Sequence, residues 1–493
     1  MDHKKIDTLG KLRSSGYKPK GIREEMRDNL VDSLRGKKEV FAGIKGYEDT
    51  VLPQLQTAIL SRHNIIFLGL RGQAKTRIAR NMTELLDEYV PVVEGSELND
   101  DPLQPLSGYA IDMIARMGDS TPVKWLHRSD RYAEKLATPD VSVSDLIGDI
   151  DPIKAATLKL TYADERVIHF GMVPRSNRCI FVINELPDLQ ARIQVALFNI
   201  LQEGDIQIRG FRLRLPLDIQ FIFTANPEDY TNRGSIVTPL KDRIGSQILT
   251  HYPRTTAISA EITLQEARIP ENQLSKIKIA PLLHNLIEQV AFEARKSELV
   301  DQKSGVSARL TISALENLYS VCERRMLING ESSTAGRVTD IYGIVPAITG
   351  KVELVYEGEL EGITAVAYTL IGKAIRKEFT TLFPDPERMK KSKQKNPYAD
   401  LVNWFGDGNE VDLLHQVTDA DYEKQLRNIP FLQELVKAYH PKAGKQEQLL
   451  LMEFMLHGLA EFSQISRKQL ERGVRFKDLI GSMLNLKPSE EEE

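Results

Sequence analysis

The stretch Asn64 to Ala79, NIIFLGLRGQAKTRIA, decides the fold class. A short apolar run (Ile65, Ile66, Phe67, Leu68) reads as a buried strand. A glycine-bearing loop follows from Gly69 to Ala74, and Lys75 and Thr76 open a helix. A phosphate-binding loop needs this order: a strand feeds a turn whose N–H groups point inward, and a helix start and a lysine then add positive charge. The usual pattern is G-x-x-x-x-G-K-[ST]; here Ala74 stands in place of the last glycine. The nucleotide-binding candidates are therefore Gly69, Leu70, Arg71, Gly72, Gln73, Ala74, Lys75, Thr76 and Arg77. The alternative for this stretch alone is an ordinary strand–helix junction.

The 493 residues exceed what one compact core accommodates and predict two to four domains. Hydrophobic residues make up 41% and charged residues 27%, a globular balance. The net charge of −4 gives no reason to expect a polyanionic partner, so a nucleic-acid role is not expected. Two cysteines, Cys179 and Cys322, supply neither a disulfide framework nor a metal cluster and fit a reducing cytoplasm. No apolar run approaches the roughly 20 residues that span a bilayer. The segment MDHKKIDTLG lacks the apolar core of a secretory signal.

Outward from the loop, residues 1–38 are basic and read as a solvated N-terminal extension with helical fragments over Ile22 to Leu34. Residues 39–62 hold a turn and then an amphipathic helix with Val51, Leu55, Ala58 and Ile59 on one face. Ile44 and Tyr47 just before it are candidates to touch a nucleotide base, with plain core packing the equal alternative. A helix is expected from Thr76 to about Tyr89, and 95–120 reads as a long loop. Ser142 or Ser144 opens a short helix. Hairpins are predicted at about 157–170 and 205–217, the second turning at Gly210.

Two further apolar runs, Cys179 to Glu185 and Ile219 to Thr224, read as parallel strands covered on both faces. The order strand–loop–helix, strand–helix, strand implies a parallel α/β sheet, here assigned to 39–253. From 254 the chain turns helical: a lid region to 383, a basic linker over 384–397, a helical region over 398–486 and an acidic tail over 487–493.

Four features then line up. Lys75 is placed to reach the β- and γ-phosphates of ATP, and the Thr76 hydroxyl to ligate Mg²⁺. Glu185, at a strand's carboxyl end, suits activation of the attacking water. Asn184 before it is neutral and would touch the metal through a water. Asn226 ends the next strand and can orient the same water. Arg243 (PLKDRIG) and Arg233 (TNRG) have no obvious phosphate in a monomer, but in a ring either reaches a neighbour's γ-phosphate. Arg309, at a helix start in the lid, is a candidate to contact the phosphates in cis.

On GLRGQAKT (69–76), INELPDL (183–189), VALFNILQEGDIQIRG (195–210), TANPEDY (224–230) and TPLKDRIG (238–245), residues 40–345 resemble AAA+ ATPases of the MoxR and magnesium chelatase subunit I type. The resemblance implies an AAA+ P-loop sheet with β-hairpin insertions, a helical lid and a further helical C-terminal region. It implies Lys75 and Thr76 as Walker A, Glu185 as the Walker B glutamate, Asn226 as sensor 1, Arg243 as arginine finger and Arg309 as sensor 2. Asn184 departs from the aspartate expected there. The implied activity is ATP hydrolysis in a ring, a hexamer, that remodels a protein partner bearing a von Willebrand factor A domain. Alternatives are the motor subunit of a magnesium chelatase, an ATP-binding switch or scaffold with little hydrolysis, and a DNA-acting AAA+ protein. The acidic balance and the lack of a helix-turn-helix oppose the last.

Overall fold

The computed structural model describes residues 5–159, 165–203, 205–206, 215–227, 235–391, 396–470 and 473–479. The chain forms two compact units, Met1–His251 and Tyr252–Glu493.

The first unit is built on five parallel strands: β1 (Ile65–Leu68), β2 (Tyr132–Leu136), β3 (Ile180–Asn184), β4 (Gln220–Ala225) and β5 (Ser246–Leu249). Their order across the sheet is β5-β1-β4-β3-β2. The three central strands are apolar and buried, because a parallel strand covered by helices on both faces has no solvent side. From β1 the chain runs out to the β2 edge and returns through β3 to β4. It then passes β1 to reach β5. Connections from the neighbours β1 and β4 thus leave in opposite directions, and a crevice for ligands opens at the carboxyl ends of strands at such a switch point.

The helices that position this edge are α1 (Ile22–Arg35), α2 (Val51–Leu60), α3 (Lys75–Asn81), α4 (Ala191–Glu203) and α5 (Thr238–Arg243). Val51, Leu55, Ala58 and Ile59 of α2 are buried together with β1, as their spacing predicts. The short helix Val143–Leu146 begins at Ser142, whose side chain and that of Asp145 form a reciprocal capping box.

Several expectations are corrected. Residues 5–38 are not a solvated extension: Leu9, Leu12, Ile22, Met26 and Leu30 are buried, and Glu25 of α1 forms a buried, two-bonded ion pair with Arg131 at 2.6 and 2.7 Å. The helix after the loop stops at Asn81, and Tyr89–Val93 is instead a strand paired antiparallel with Val123–His127. The region 95–120 contains a helix, Gly108–Met117, capped by Ser107. The hairpin expected at 157–170 pairs Ile168–Phe170 with Gly148–Ile150, while residues up to Leu158 are helical. The second hairpin keeps its ends, Asp205–Ile206 against Leu215–Pro216; its turn at Gly210 lies outside the described residues.

The second unit packs α6 (Pro281–Ala294), α7 (Arg309–Ile328), α8 (Ile363–Leu382) and α9 (Lys445–Glu461). Leu449 to Leu459 of α9 are buried without a break, the mark of a helix surrounded by its own domain. The region beyond 398 is not purely helical. It adds a three-stranded antiparallel sheet in the order Val411–Leu414, Gly473–Lys477, Ser466–Leu470.

Candidate functional site at the switch point

The loop from Gly69 to Ala74 is built for close approach. A Cβ added at Gly69 would lie 1.9 Å from Thr250 Oγ1 and 2.2 Å from Gln73 Oε1, so no side chain fits there. Gly72 has φ +72° and Ala74 φ +57°, both left-handed. Glycine takes that conformation freely, and alanine does so at a cost. The Lys75 ammonium turns back onto the carbonyls of Gly69 and, at 2.9 Å, Leu70.

The loop is tied to the strand ends around it. Gly69 N–H donates to the Ala225 carbonyl at 3.2 Å, holding the loop against the end of β4. Thr250 Oγ1 donates to Gln73 Oε1 at 2.7 Å. The Tyr47 hydroxyl lies 3.0 Å from the Gln73 carbonyl and 2.7 Å from that of His251. His251 also hydrogen-bonds Thr50 at 2.8 Å and packs edge-on against Tyr47. Ile44 and Tyr47 are both buried in the core that carries β1 and α3, and of the two it is Tyr47 that bonds the loop, at the Gln73 carbonyl.

Opposite the loop, Asn184 Oδ1 accepts two hydroxyls, Thr76 Oγ1 at 3.2 Å and Thr224 Oγ1 at 3.1 Å. Glu185 follows with φ +58° and an exposed side chain; its N–H donates to Thr224 Oγ1 at 3.1 Å. Asn226, half-buried, lies one residue beyond the Leu68–Ala225 pairing and so beside the start of the loop.

The structure thus gathers Tyr47, Gly69 to Thr76, Asn184, Glu185 and Asn226 at one edge of the sheet, with Ile44 in the core that carries β1. Arg71 is exposed and Arg77 half-buried in the same segment. Arg243 lies on α5, paired with Asp242 and 5.3 Å from the Phe198 ring of α4. Arg309 is exposed at the start of α7 in the other unit. Arg233 lies outside the described residues. Sequence reasoning missed Thr50, Thr224, Thr250 and His251. The only available signal was adjacency, since Thr224 precedes the Asn226 motif by two residues and so shares its strand face.

The donor set fits a nucleotide phosphate better than a bare cation. Loop amides and Lys75 suit an anion. No group of three or more His, Cys, Asp or Glu that could hold a metal occurs among the described residues. Among them also, no helix is long and apolar enough to cross a membrane.

No family model and no curated protein matches the chain. Among solved structures it is similar to NtrX from Brucella abortus, at 15% identity over 60% of this chain and 54% of that one, with a TM-score of 0.34. It is also similar to a chain in the complex of magnesium chelatase subunits BchI and BchD, at 19% identity over 65% and 98% of the two chains and a TM-score of 0.33. A third is Hsp104 in its closed state with ATPγS and casein, at 13% identity over 61% and 48% and a TM-score of 0.35. The chain therefore spans about half the length of NtrX. At these scores the reading of the site rests on this chain's own residues.

Proposed function

We propose that the chain binds ATP with Mg²⁺ at the switch point and hydrolyses it, as an AAA+ ATPase of the MoxR or magnesium chelatase subunit I type. The observation that carries this reading is the convergence of Gly69–Thr76, Asn184–Glu185 and Asn226 on adjacent strand ends, with Thr76 hydrogen-bonded to Asn184 at 3.2 Å. The loop amides and Lys75 hold the phosphates. Thr76 and, through a water, Asn184 hold the metal, which when bound neutralises phosphate charge. Glu185 accepts the proton of the attacking water, and Asn226 orients that water.

The further assignments are proposals of the same kind. Arg243 or Arg233 serves a neighbour's site in a hexameric ring, and Arg309 acts in cis. The work is remodelling of a protein partner, with a von Willebrand factor A protein as the first candidate and a chelatase motor role as the narrower version.

The test is phosphate release from ATP and Mg²⁺ by the full chain. Lys75→Ala should abolish nucleotide binding. Glu185→Gln should keep binding and lose on the order of 10²–10⁴ in turnover. A wild-type chain that neither binds nor turns over ATP sinks the reading. A second reading, a slow nucleotide switch, is favoured by the neutral Asn184. It predicts a wild-type rate no higher than that of Glu185→Gln. Light scattering with and without ATP tests the ring.

A further inference from the structure

We propose that Thr224 is a positioning residue of this site: its single hydroxyl sets the turn that carries Glu185 and holds the Asn184 amide toward Thr76. The inference rests on the ATPase reading above. Thr224 is 2% exposed, near the carboxyl end of β4. Its proton goes to Asn184 Oδ1 at 3.1 Å, and its oxygen accepts the Glu185 N–H at 3.1 Å. The hydroxyl thus bonds both the last residue of β3 and the residue after it.

Glu185 needs such a hold. Its φ of +58° is a conformation that L residues other than asparagine and aspartate rarely adopt, and it persists only where surrounding bonds over-determine it. The left-handed turn follows the end of β3, and Glu185 is exposed although Ile180 to Ile183 before it are buried. On the other side, Asn184 Oδ1 also accepts from Thr76 at 3.2 Å. One buried hydroxyl therefore joins the residue proposed to activate water to the residue proposed to meet the metal. Asn226 lies two residues after Thr224, just past the end of β4. A shift of β4 would move both residues together.

Valine is close to threonine in shape but removes both bonds, whereas serine keeps the hydroxyl. In the full chain, Thr224→Val should lower kcat by about 10²-fold, the size of loss expected when a reacting group is displaced by about 1 Å. KM and the dissociation constant of a fluorescent ATP analogue should stay within about threefold, and Thr224→Ser should recover most of the rate. At saturating Mg²⁺, where the hold on Asn184 is not limiting, Thr224 acts through Glu185, so Thr224→Val added to Glu185→Gln should cost nothing further. A wild-type kcat in Thr224→Val, or a loss that adds to Glu185→Gln, overturns the inference. Amide exchange at Glu185 gives a readout independent of turnover: faster in Thr224→Val but not in Thr224→Ser supports it, and unchanged in both refutes it. A wild-type chain that binds no ATP would instead sink the ATPase reading, with the exchange experiment still deciding whether Thr224 holds Glu185.

Discussion

Replacing Asn184 by aspartate tests whether the neutral amide stands where a metal-facing carboxylate would. Asn184 Oδ1 already accepts from Thr76 and Thr224 at 3.2 and 3.1 Å, and a carboxylate oxygen can accept the same two bonds, so the local geometry should survive. The change is then mainly electrostatic. With a Thr76–Mg²⁺ bond of about 2.1 Å, the carboxylate would lie within roughly 5 Å of the ion. At an effective dielectric near 20, a unit negative and a double positive charge at about 5 Å attract by about 7 kcal/mol. Desolvation of the half-buried carboxylate, and the phosphates that already share the ion, cancel most of that. A residue of only about 1.4 kcal/mol is still tenfold. The half-saturating Mg²⁺ for ATP turnover, and for binding of a fluorescent ATP analogue, should therefore fall by about tenfold or more in Asn184→Asp. An unchanged or higher Mg²⁺ requirement, with nucleotide binding intact, would place the metal away from Asn184 and refute the reasoning.

Ala74→Gly relieves a left-handed alanine worth about 1–2 kcal/mol, while the freer unfolded chain returns about 0.4–1 kcal/mol. Urea unfolding of Ala74→Gly should therefore show a gain of between zero and about 1.6 kcal/mol, and Ala74→Val a clear loss. Glu25→Ala leaves Arg131, 1% exposed, without its partner and should cost about 3–5 kcal/mol. Limited proteolysis should then cut the N-terminal segment first, and Glu25→Leu with Arg131→Met should recover much of the loss. In the second unit, burial holds the His457 imidazole well below its ordinary range, with Arg467 and His415 adding to the effect. The unfolded chain takes up a proton near pH 6.5 that the folded chain does not, so stability falls as pH drops below about 6.5, by up to about 1.4 kcal/mol per unit. Denaturation midpoints at pH 7.5 and 5.5 should show this, and His457→Gln should flatten the slope.

The centre of the sheet was legible because its strands carry no solvent face. IIFL, IFVIN and QFIFTA read as apolar runs, and each ends in the residues later found at the switch point. The two outer strands were not legible. Tyr132–Leu136 is half-exposed along most of its length, and Ser246–Leu249 alternates exposed and buried positions, so neither shows an unbroken apolar run. The N-terminal segment misled for a related reason. Glu25 and Arg131 read as surface charge in a sequence, and only their pairing shows why both are buried. The hydroxyls that knit the site were also silent, because a threonine at a strand end looks the same whether or not its proton has a designated partner.

Those hydroxyls bear on how the two departures from the usual motif fit together. With aspartate at 184, one carboxylate oxygen could hold Thr76 and Thr224 and the other face a cation. With asparagine, Oδ1 still accepts both hydroxyls, but the second group is an NH₂, which repels a cation and donates to an acceptor. On the proposed reading the chain then offers the metal the Thr76 oxygen and only a water-mediated contact at Asn184, and most of the ion's ligands have to come from the phosphates and water, as suits Mg²⁺. Metal and nucleotide would arrive together. Ala74 makes the complementary change on the other side of Thr76: it holds the start of α3 in a left-handed turn that glycine would adopt without cost. On that reading, one substitution weakens the metal's hold and the other costs stability for the loop's shape, so both would leave the phosphates, held by the loop amides and Lys75, as the dominant contact. On the proposed ATPase reading, binding would then be secured by the loop, and the rate of hydrolysis would fall to the residues that Thr224 keeps in place.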